Sequence, residues 1–449
     1  MNKTLIAALC MGAALSSGDV LAQDPLVTQG EYLARVGDCT ACHTKAGGKP
    51  FAGGLPLETP IGTIYSTNIT PDSKTGIGDY SFETFDNAVR RGIRKDGSTL
   101  YPAMPYPSYA RVSEGDMRAL YAYFMSAVPA VSQSNRASDV PWPLSIRAPL
   151  KVWRWLFAPS PDTPASPRMQ DDQMNRGAYL VEGLGHCGTC HSPRALTLQE
   201  KALHDDDGKL FLSGGVPLEG WTAKDLRGST VTGLGQWSEQ DIVQFLKTGR
   251  NDRTAAFGGM SDVVVHSMQY LSDSDLGAIA KYLKTLSPQE TQNVSITAHN
   301  VDTAQKLHDL QIDSLGGRVY ADNCMACHRS DGKGYTQTFP GLAGNTVLND
   351  AKADSVIRII LKGYTVPATA SAPTAYTMPA FGWRLSDSEV AAVASFIRQS
   401  WSNSGSVVNE SDVAKVRNTV DINEQRPHGM TVHDGAVDAH FSADANTKP

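Results

Sequence analysis

Three short motifs in the sequence place two cysteines and one histidine at a fixed spacing. In each motif two residues separate the cysteines, and histidine directly follows the second: Cys39-Thr40-Ala41-Cys42-His43, Cys187-Gly188-Thr189-Cys190-His191 and Cys324-Met325-Ala326-Cys327-His328. The C-x-x-C-H pattern is typical of the covalent attachment of a c-type haem. Two thiols three positions apart on the first turn of a helix can reach both vinyl groups of one porphyrin, and the adjacent histidine then lies beneath the iron.

The motifs predict three covalently attached haem c groups and use every cysteine but one. The predicted attachment and iron-ligand residues are Cys39, Cys42, Cys187, Cys190, Cys324 and Cys327, with His43, His191 and His328. Structural zinc would need a fourth ligand at each site. A thioredoxin-like dithiol would leave the histidine after each pair unexplained. Three repetitions that consume all the cysteines after residue 22 favour haem attachment over both alternatives.

The remaining cysteine, Cys10, lies in an N-terminal segment with the features of a secretory signal. Lys3 gives the segment a positive start, residues 5–15 are largely apolar, and Ala22 ends a stretch of small and polar residues. The apolar stretch is too short to span a bilayer. We predict a signal peptide at residues 1–22, cleaved after Ala22, and an exported mature chain. A short anchor that is retained is the alternative.

Each attachment motif lies within a larger repeated unit. A helical run precedes the motif, beginning at Gly30, Gly177 and Gly317, and a helix capped by serine and acids closes the unit, beginning at Ser113, Ser272 and Ser386. The predicted fold is therefore mainly α, with three tandem class I-like cytochrome c domains joined by irregular linkers. The predicted boundaries are domain 1 at 23–140, a Pro/Trp-rich linker at 141–172, domain 2 at 173–288, a polar linker at 289–312, domain 3 at 313–402 and a poorly ordered polar tail at 403–449.

The first linker contains a short aromatic and cationic segment around Trp153 and Trp155. Tryptophan together with Lys or Arg is favoured at a membrane interface, so this segment could lie on a bilayer. It could equally form a linker helix whose tryptophans pack between two domains. The sequence leaves both possibilities open. Beyond the signal peptide, no apolar run approaches the length of a transmembrane helix.

The second axial ligand of each iron is expected in the loop before the last helix of its unit. Met104 and Met378 each stand beside a proline there, and a thioether ligand raises the reduction potential. The second unit offers Met260, His266 and Met268. We favour Met260, because Met268 stands too close to the closing helix to leave a loop over the porphyrin. Core filling is the ordinary fate of any single methionine, but the matched loop position favours ligation.

Irons with both histidine and methionine ligands have no open coordination position, so such sites can only gain and lose electrons. The sequence contains no G-x-G-x-x-G that opens a dinucleotide-binding fold, and no P-loop, G-x-S-x-G or H-E-x-x-H motif, to indicate another catalytic centre. With 40 Lys and Arg against 46 Asp and Glu, and no basic block, nucleic acid is excluded as a partner. A multihaem peroxidase-like enzyme with one open iron and a free periplasmic electron shuttle are the alternatives.

The sequence resembles the triheme cytochrome c subunit of bacterial membrane-bound dehydrogenases. The stretches that carry the resemblance are the first attachment motif at Cys39–His43, together with residues 59–71, Tyr101-Pro102-Ala103-Met104-Pro105-Tyr106 and Phe257-Gly258-Gly259-Met260. That family includes the cytochrome subunits of flavin-dependent gluconate, sorbitol and fructose dehydrogenases and of quinoprotein alcohol dehydrogenase. The resemblance implies His43, His191 and His328 as proximal ligands and Met104, Met260 and Met378 as distal ligands, and it points to the gluconate type.

The resemblance also implies partners and a location. In that family the cytochrome accepts electrons from a separate large dehydrogenase subunit, a flavoprotein or a quinoprotein, and a small third subunit can be present. It passes the electrons to ubiquinone in the cytoplasmic membrane. The implied location is the periplasmic face, with peripheral attachment to the membrane surface after signal-peptide cleavage. The chain by itself is then not an enzyme but an electron-transfer subunit of an oxidoreductase complex.

Overall fold

The computed structural model describes residues 24–161, 171–215, 219–289 and 300–420, with the short stretches 431–433 and 436–438. The predicted signal peptide at residues 1–22 lies outside the described residues, as do parts of the predicted linkers and tail. Within the described ranges the chain is mainly helical, as the sequence predicts, with three two-stranded antiparallel ladders.

The helices are α1 (Pro25–Val36), α2 (Cys39–His43), α3 (Phe82–Arg91), α4 (Tyr106–Tyr109), α5 (Glu114–Ser126), α6 (Ala148–Phe157), α7 (Asp172–Tyr179), α8 (Gly188–His191), α9 (Glu239–Thr248), α10 (Gly259–His266), α11 (Asp273–Thr285), α12 (Asn300–His308), α13 (Leu315–Asn323), α14 (Met325–His328), α15 (Asp354–Lys362), α16 (Asp387–Gln399) and α17 (Glu410–Arg417). A π-helical turn lies at Leu180–Leu184, and 3-10 turns lie at Asp205–Asp207, Met268–Tyr270 and Thr346–Asn349. The paired strands are β1 (Pro56–Thr59) with β2 (Gly62–Tyr65), β3 (Tyr364–Val366) with β4 (Tyr376–Met378), and β5 (Thr431–His433) with β6 (Ala436–Asp438).

The closing helix of each unit begins at the serine that the sequence indicates. The hydroxyls of Ser113, Ser272 and Ser386 accept hydrogen bonds from backbone N–H groups of the first turns of α5, α11 and α16. Such N-caps satisfy amide groups that a helix cannot satisfy itself. The middle helices α3 and α9 end at Gly92 and Gly249, with φ of 62° and 74°, a left-handed conformation that favours glycine.

In every unit the helix before the attachment motif crosses the closing helix at a glycine. A Cβ atom at Gly30, Gly177 or Gly316 would lie 1.9, 2.0 or 2.2 Å from the backbone oxygen of Ala119, Ala278 or Ala392 respectively. Each of these alanines is followed four positions later by an aromatic residue on the same helix: Tyr123, Tyr282 and Phe396. The pairs α1 with α5, α7 with α11, and α13 with α16 therefore make the same close crossing.

The crossing corrects the sequence alignment of the third unit. The sequence suggests Gly317 as the counterpart of Gly30 and Gly177, but Gly316 occupies the crossing. A Cβ at Gly317 would instead meet the side chains of Ile312 and Ser314. Two adjacent glycines cannot be told apart by composition, and only the helix rotation decides which one faces its partner.

The second unit contains one residue more than the first between this helix and the attachment motif. Cys39 lies seven positions after Tyr32, whereas Cys187 lies eight positions after Tyr179. The extra residue falls in the π-helical turn Leu180–Leu184. Gly183 within this turn departs from helical geometry, with φ of -103° and ψ of -106°, so the inserted residue is taken up at a kink just before the second motif.

Among the residues that the structure describes, the buried side chains form two clusters, one fewer than the number of repeated units. One cluster extends from Leu33 to Leu286 and joins the first and second units in one core. The other extends from Leu307 to Val416 and belongs to the third unit. The first two units therefore pack as one body, with buried residues of α1, α5, α7 and α11 on both sides of their boundary.

The segments predicted as irregular contain further helices. The tail from residue 403 is predicted to be polar and poorly ordered, but its beginning is ordered. Val408, Val413 and Val416 are buried in the second cluster, and α17 packs on α15 and α16. Arg417 at the end of α17 donates a 2.7 Å hydrogen bond to Asp387. The linkers at 141–172 and 289–312 contain α6 and α12. The apolar residues of the tail are widely spaced in the sequence and find their packing partners only in the folded chain.

Candidate haem-attachment and iron-ligand sites

The three C-x-x-C-H motifs form the short helices α2, α8 and α14 or begin just before them. None of the six motif cysteines is in a disulfide, and in each pair the first is half-buried while the second is exposed. Both sulfur atoms of each pair therefore stand on one helical turn at the edge of a core, where a porphyrin can approach them. This is the arrangement that the spacing predicts.

The three histidines share one hydrogen-bond pattern. Nδ1 of His43 lies 2.7 Å from the Thr67 carbonyl oxygen, Nδ1 of His191 lies 2.7 Å from that of Lys224, and Nδ1 of His328 lies 3.0 Å from that of Pro340. A carbonyl oxygen only accepts, so each Nδ1 carries the proton and Nε2 keeps its lone pair. Such a bond fixes both the tautomer and the ring orientation of a metal-ligating histidine.

Burial lowers the pKa of each of these histidines, although the backbone carbonyl partner opposes the effect. Burial disfavours the charged imidazolium. The three rings are therefore neutral at neutral pH, which is the protonation state that binding to a metal requires.

A glycine after each motif holds the loop that supplies the carbonyl. The amide of Gly53 donates to the His43 carbonyl oxygen at 2.7 Å, and that of Gly214 donates to the His191 carbonyl oxygen at 2.9 Å. Gly53 has a φ of 72°, and a Cβ there would lie 2.4 Å from the Thr67 backbone. In the second unit the collision would occur at the next position, where a Cβ on Gly215 would lie 1.8 Å from the Cys190 carbonyl oxygen. Each Gly-Gly pair therefore contains one position that only glycine can occupy.

The residues present fit a covalently attached haem. Among the described residues, seven buried side-chain polar atoms have no hydrogen-bond partner, and four lie beside the attachment or ligand residues: those of Asp38, Tyr106, Glu200 and Asn323. Asp38 and Asn323 directly precede the first cysteine of their motifs, and Tyr106 is two positions after Met104. Unpartnered buried polar atoms are costly, so their concentration here indicates a site built around a further group.

The candidate methionines of the first and third units lie at core edges. Met104 is half-buried against the shared core of the first two units. Its loop is folded back by a 2.8 Å hydrogen bond from the Tyr106 amide to the Met104 carbonyl oxygen. Met378 ends β4, pairs with Tyr364 across the ladder and is half-buried against the core of the third unit. Both thioethers are thus held on short, constrained segments.

The three candidates of the second unit differ in burial. Met268 lies in a 3-10 turn and is a buried member of the shared core. Met260 lies in the first turn of α10 and is half-buried, as is His266 at the other end of that helix. Met268 therefore already has the packing role that is ordinary for methionine. Met260 remains our prediction for the ligand.

Some interface residues escape prediction from the sequence. The Tyr32 hydroxyl donates to Asp275 at 2.6 Å, and the Tyr179 hydroxyl donates to Asp116 at 2.5 Å, so each of the first two units binds the closing helix of the other. The sequence does contain a signal for these contacts, because Tyr32 and Tyr179 occupy the same position in the repeat. His186, which directly precedes Cys187, places Nε2 3.4 Å from the Gly37 carbonyl oxygen of the first unit.

A charged group is also buried at this interface. The carboxylate of Glu182, in the π-helical turn of the second unit, lies 3.1 Å from Arg111 of the first unit. It also accepts a 2.5 Å hydrogen bond from the Tyr282 hydroxyl. A buried carboxylate needs such partners. The interface between the first two units therefore contains an ion pair in addition to apolar packing.

Comparison with known proteins agrees with this geometry. The family described as cytochrome c matches residues 314–401, which contain the third attachment motif. The fold and the site thus define a c-type cytochrome, with covalently bound haem c as its cofactor.

Longer relatives define the family more closely. The chain is 55% identical over 402 residues to the gluconate 2-dehydrogenase cytochrome c subunit of Pantoea cypripedii, an alignment that covers 89% of this chain and 91% of the relative. It is 49% identical over 426 residues to the cytochrome c subunit of alcohol dehydrogenase (quinone) of Gluconacetobacter polyoxogenes, covering 93% and 91%. It is 36% identical over 415 residues to the fructose dehydrogenase cytochrome subunit of Gluconobacter japonicus, covering 88% and 83%. The chain belongs to the family of cytochrome c subunits of bacterial dehydrogenases, which transfer electrons within dehydrogenase complexes and are not themselves catalytic.

Across the described ranges, no helix combines the length and hydropathy that a membrane-spanning helix needs. Over the same residues, no three His, Cys, Asp or Glu side chains group closely enough to bind a metal ion by themselves.

Proposed function

We propose that this chain is a triheme electron-transfer subunit that accepts electrons from a dehydrogenase subunit and delivers them to ubiquinone. The observation that carries the proposal is the threefold repetition of one site: a C-x-x-C-H motif at a short helix, with a histidine whose Nδ1 donates to a backbone carbonyl oxygen. A haem iron with two axial protein ligands exchanges single electrons and leaves no position for a substrate.

The three sites would define three tandem cytochrome c domains at 23–140, 173–288 and 313–402. The common crossing at Gly30, Gly177 and Gly316 supports this division, because each motif is then placed by the same pair of helices. The thioether bonds would form at the six cysteines, and His43, His191 and His328 would bind the irons. Met104, Met260 and Met378 would supply the opposite ligands, as their half-buried positions allow.

The partner would be the large subunit of a dehydrogenase for a sugar acid, polyol or alcohol, and a small third subunit can accompany it. The gluconate type is favoured by the 55% identity to a gluconate 2-dehydrogenase cytochrome subunit. Export by a signal peptide at residues 1–22 would place the protein on the periplasmic side, attached peripherally to the cytoplasmic membrane. There it would meet ubiquinone in the bilayer.

Intact-mass measurement of the purified mature chain tests the haem count. We expect the mass of residues 23–449 plus three haems, with tryptic haem peptides from each of the three motifs. A mass with two haems or one would contradict the triheme proposal. Binding of carbon monoxide by the native reduced protein would show an open iron and favour a peroxidase-like enzyme.

Reconstitution tests the electron path. The chain alone should not oxidise gluconate, sorbitol or ethanol. The complex that co-purifies from membranes should reduce the haems when its substrate is added, and a soluble ubiquinone analogue should reoxidise them. Substrate oxidation by the isolated chain, or haems that the quinone cannot reoxidise, would refute the respective half of the proposal.

A further inference from the structure

Exposed apolar side chains are concentrated in one stretch of the chain. Fourteen large hydrophobic side chains are exposed in the described residues, and six of them lie within residues 142–156. They are Trp142, Leu144, Ile146, Val152, Trp155 and Leu156. Trp142 and Trp155 are 80% and 79% exposed, which is unusual for so large an apolar side chain. We call these six residues, together with Lys151, the α6 patch.

One face of α6 packs against the first and second units, so the opposite face points away from them. The Trp153 indole donates a 2.8 Å hydrogen bond to the Thr197 carbonyl oxygen in the second unit, and its ring contacts that of Tyr106 in the first unit at 6.2 Å between centroids. Arg154 donates to the Arg91 carbonyl oxygen at 3.3 Å. The helix is therefore seated in the groove between the two units. The sequence left two roles open for the tryptophans, and Trp153 takes the packing role.

The opposite face of α6 carries the exposed residues. Lys151, Val152, Trp155 and Leu156 are exposed, and their spacing of three and four positions places them on one side of the helix. The preceding residues 141–146 are all exposed and continue the surface. Leu196, next to the Trp153 partner Thr197, is also fully exposed and extends the surface on the side of the second unit.

The charge of this region is opposite to that of the whole protein. Residues 140–161 contain three cations, Arg147, Lys151 and Arg154, and no acidic residue, whereas the chain carries a formal charge of -6. Exposed tryptophan and leucine with neighbouring Lys and Arg suit the headgroup region of an anionic bilayer. A helix of ten residues is too short to cross a bilayer and can only lie along its surface.

We propose that the α6 patch docks this cytochrome onto an anionic lipid surface, with α6 parallel to the membrane plane. The proposal rests on the proposed peripheral attachment and names the surface responsible. Because Trp153 ties the helix to Tyr106 and Thr197, docking also orients the molecule. Tyr106 lies two positions after Met104, and Thr197 lies six positions after His191, so docking through α6 would hold the edges of the first and second sites in a fixed orientation to the lipid surface.

Vesicle flotation with the mature haem-containing chain tests the proposal. Vesicles of phosphatidylethanolamine with phosphatidylglycerol should bind the protein, and pure phosphatidylcholine vesicles should bind it more weakly. The double variant Trp155→Ser with Leu156→Ser should bind the anionic vesicles at least tenfold more weakly, and Lys151→Glu should weaken binding severalfold. The matched control is Leu310→Ser with Val407→Ser, which changes two exposed apolar residues outside the patch and should bind like the unmodified chain.

A spin label provides a second measurement that does not depend on affinity. A label at Val152→Cys should become accessible to oxygen and protected from a water-soluble nickel complex when vesicles are added, whereas a label at Val407→Cys should show no change. Equal binding by the double variant and the unmodified chain would overturn the proposal. So would a double variant that loses the co-purifying dehydrogenase but still binds vesicles, because the patch would then be a protein interface.

The haem content and dithionite-reduced spectrum of each sample separate this proposal from the proposed function. Three reducible haems with no vesicle binding would refute only the docking surface. Vesicle binding by a chain with fewer than three haems would refute only the triheme function.

Discussion

The Tyr32 hydroxyl donates a 2.6 Å hydrogen bond to the Asp275 carboxylate, although the two residues are 243 positions apart. Tyr179, the repeat counterpart of Tyr32, makes the same bond to Asp116, the counterpart of Asp275. Each hydroxyl also accepts from the backbone amide of the N-cap serine on the same helix. The first two units are thus joined by a reciprocal exchange, in which each unit completes the N-terminus of the closing helix of the other.

Removing either hydroxyl should weaken the joint core of these units. We expect Tyr32→Phe and Tyr179→Phe each to lower the free energy of unfolding by about 1 to 2 kcal/mol, because each removes one hydrogen bond from a carboxylate and leaves the amide of the N-cap serine without its partner. Denaturant unfolding followed by far-UV circular dichroism measures the loss. Tyr335→Phe is the matched control, since its ring is half exposed. Equal stability of all three variants would show that the exchange contributes nothing.

The same interface should respond to acid. Burial acts to raise the pKa of Asp275, but hydrogen bonds from Arg176 and Tyr32 prevail and hold it below its ordinary value. A depressed carboxyl pKa stabilises the fold above the unfolded-state pKa, near 4, and this contribution disappears as the pH falls through the folded-state pKa. Asp275→Asn should therefore cost about 1 to 3 kcal/mol at pH 7, and its deficit relative to the unmodified chain should shrink below about pH 4.

Thermal unfolding at a series of pH values from 3 to 8 checks this dependence. Asp273→Asn is the control, because Asp273 is in the same helical turn but its side chain is 89% exposed. It should show only the small effect of a first-turn charge, about 0.3 to 1 kcal/mol. A deficit of Asp275→Asn that stays constant down to pH 3 would contradict the assignment.

The glycine crossings should not tolerate a methyl group. Gly30→Ala or Gly177→Ala would place a Cβ about 2 Å from a backbone oxygen of the partner helix, and we expect a loss of about 3 kcal/mol or more from overpacking. Gly115→Ala is the control, because its Cβ would have no neighbour closer than 3.9 Å. That change, within α5, should stabilise the protein by about 0.5 to 1 kcal/mol. Chemical denaturation of the three variants measures both the expected loss of stability at Gly30 or Gly177 and the expected gain at Gly115.

Substitutions of Met260 and Met268 should have different effects on the second haem site and on stability. Met260→Ala should remove a ligand from the second iron and produce a high-spin signal in electron paramagnetic resonance. Met268→Ala should keep the low-spin spectrum but cost about 2 to 5 kcal/mol of stability, because it empties a buried core position. If the high-spin signal instead follows Met268→Ala, our ligand assignment is wrong.

Part of this structure could be predicted from local features of the sequence. The cysteine and histidine spacing is a property of one helical turn, so the attachment motifs needed no tertiary information. Serine caps likewise act within a few residues, which is why the starts of α5, α11 and α16 could be predicted. The mainly helical fold and the cytochrome family followed from these local signals.

Other features were decided only when distant segments met. Whether Gly316 or Gly317 faces α16 depends on helix rotation, and whether α17 is ordered depends on a few valines reaching a core built from other helices. Trp153 and Trp155 are two positions apart and almost identical in sequence context, yet one packs between units and the other faces outward. The sequence alone determined where the haem-attachment motifs lie, because the spacing of their cysteines and histidine is set within one helical turn. Tertiary structure decided how its units join and which surface remains exposed, because burial depends on contacts made across hundreds of residues.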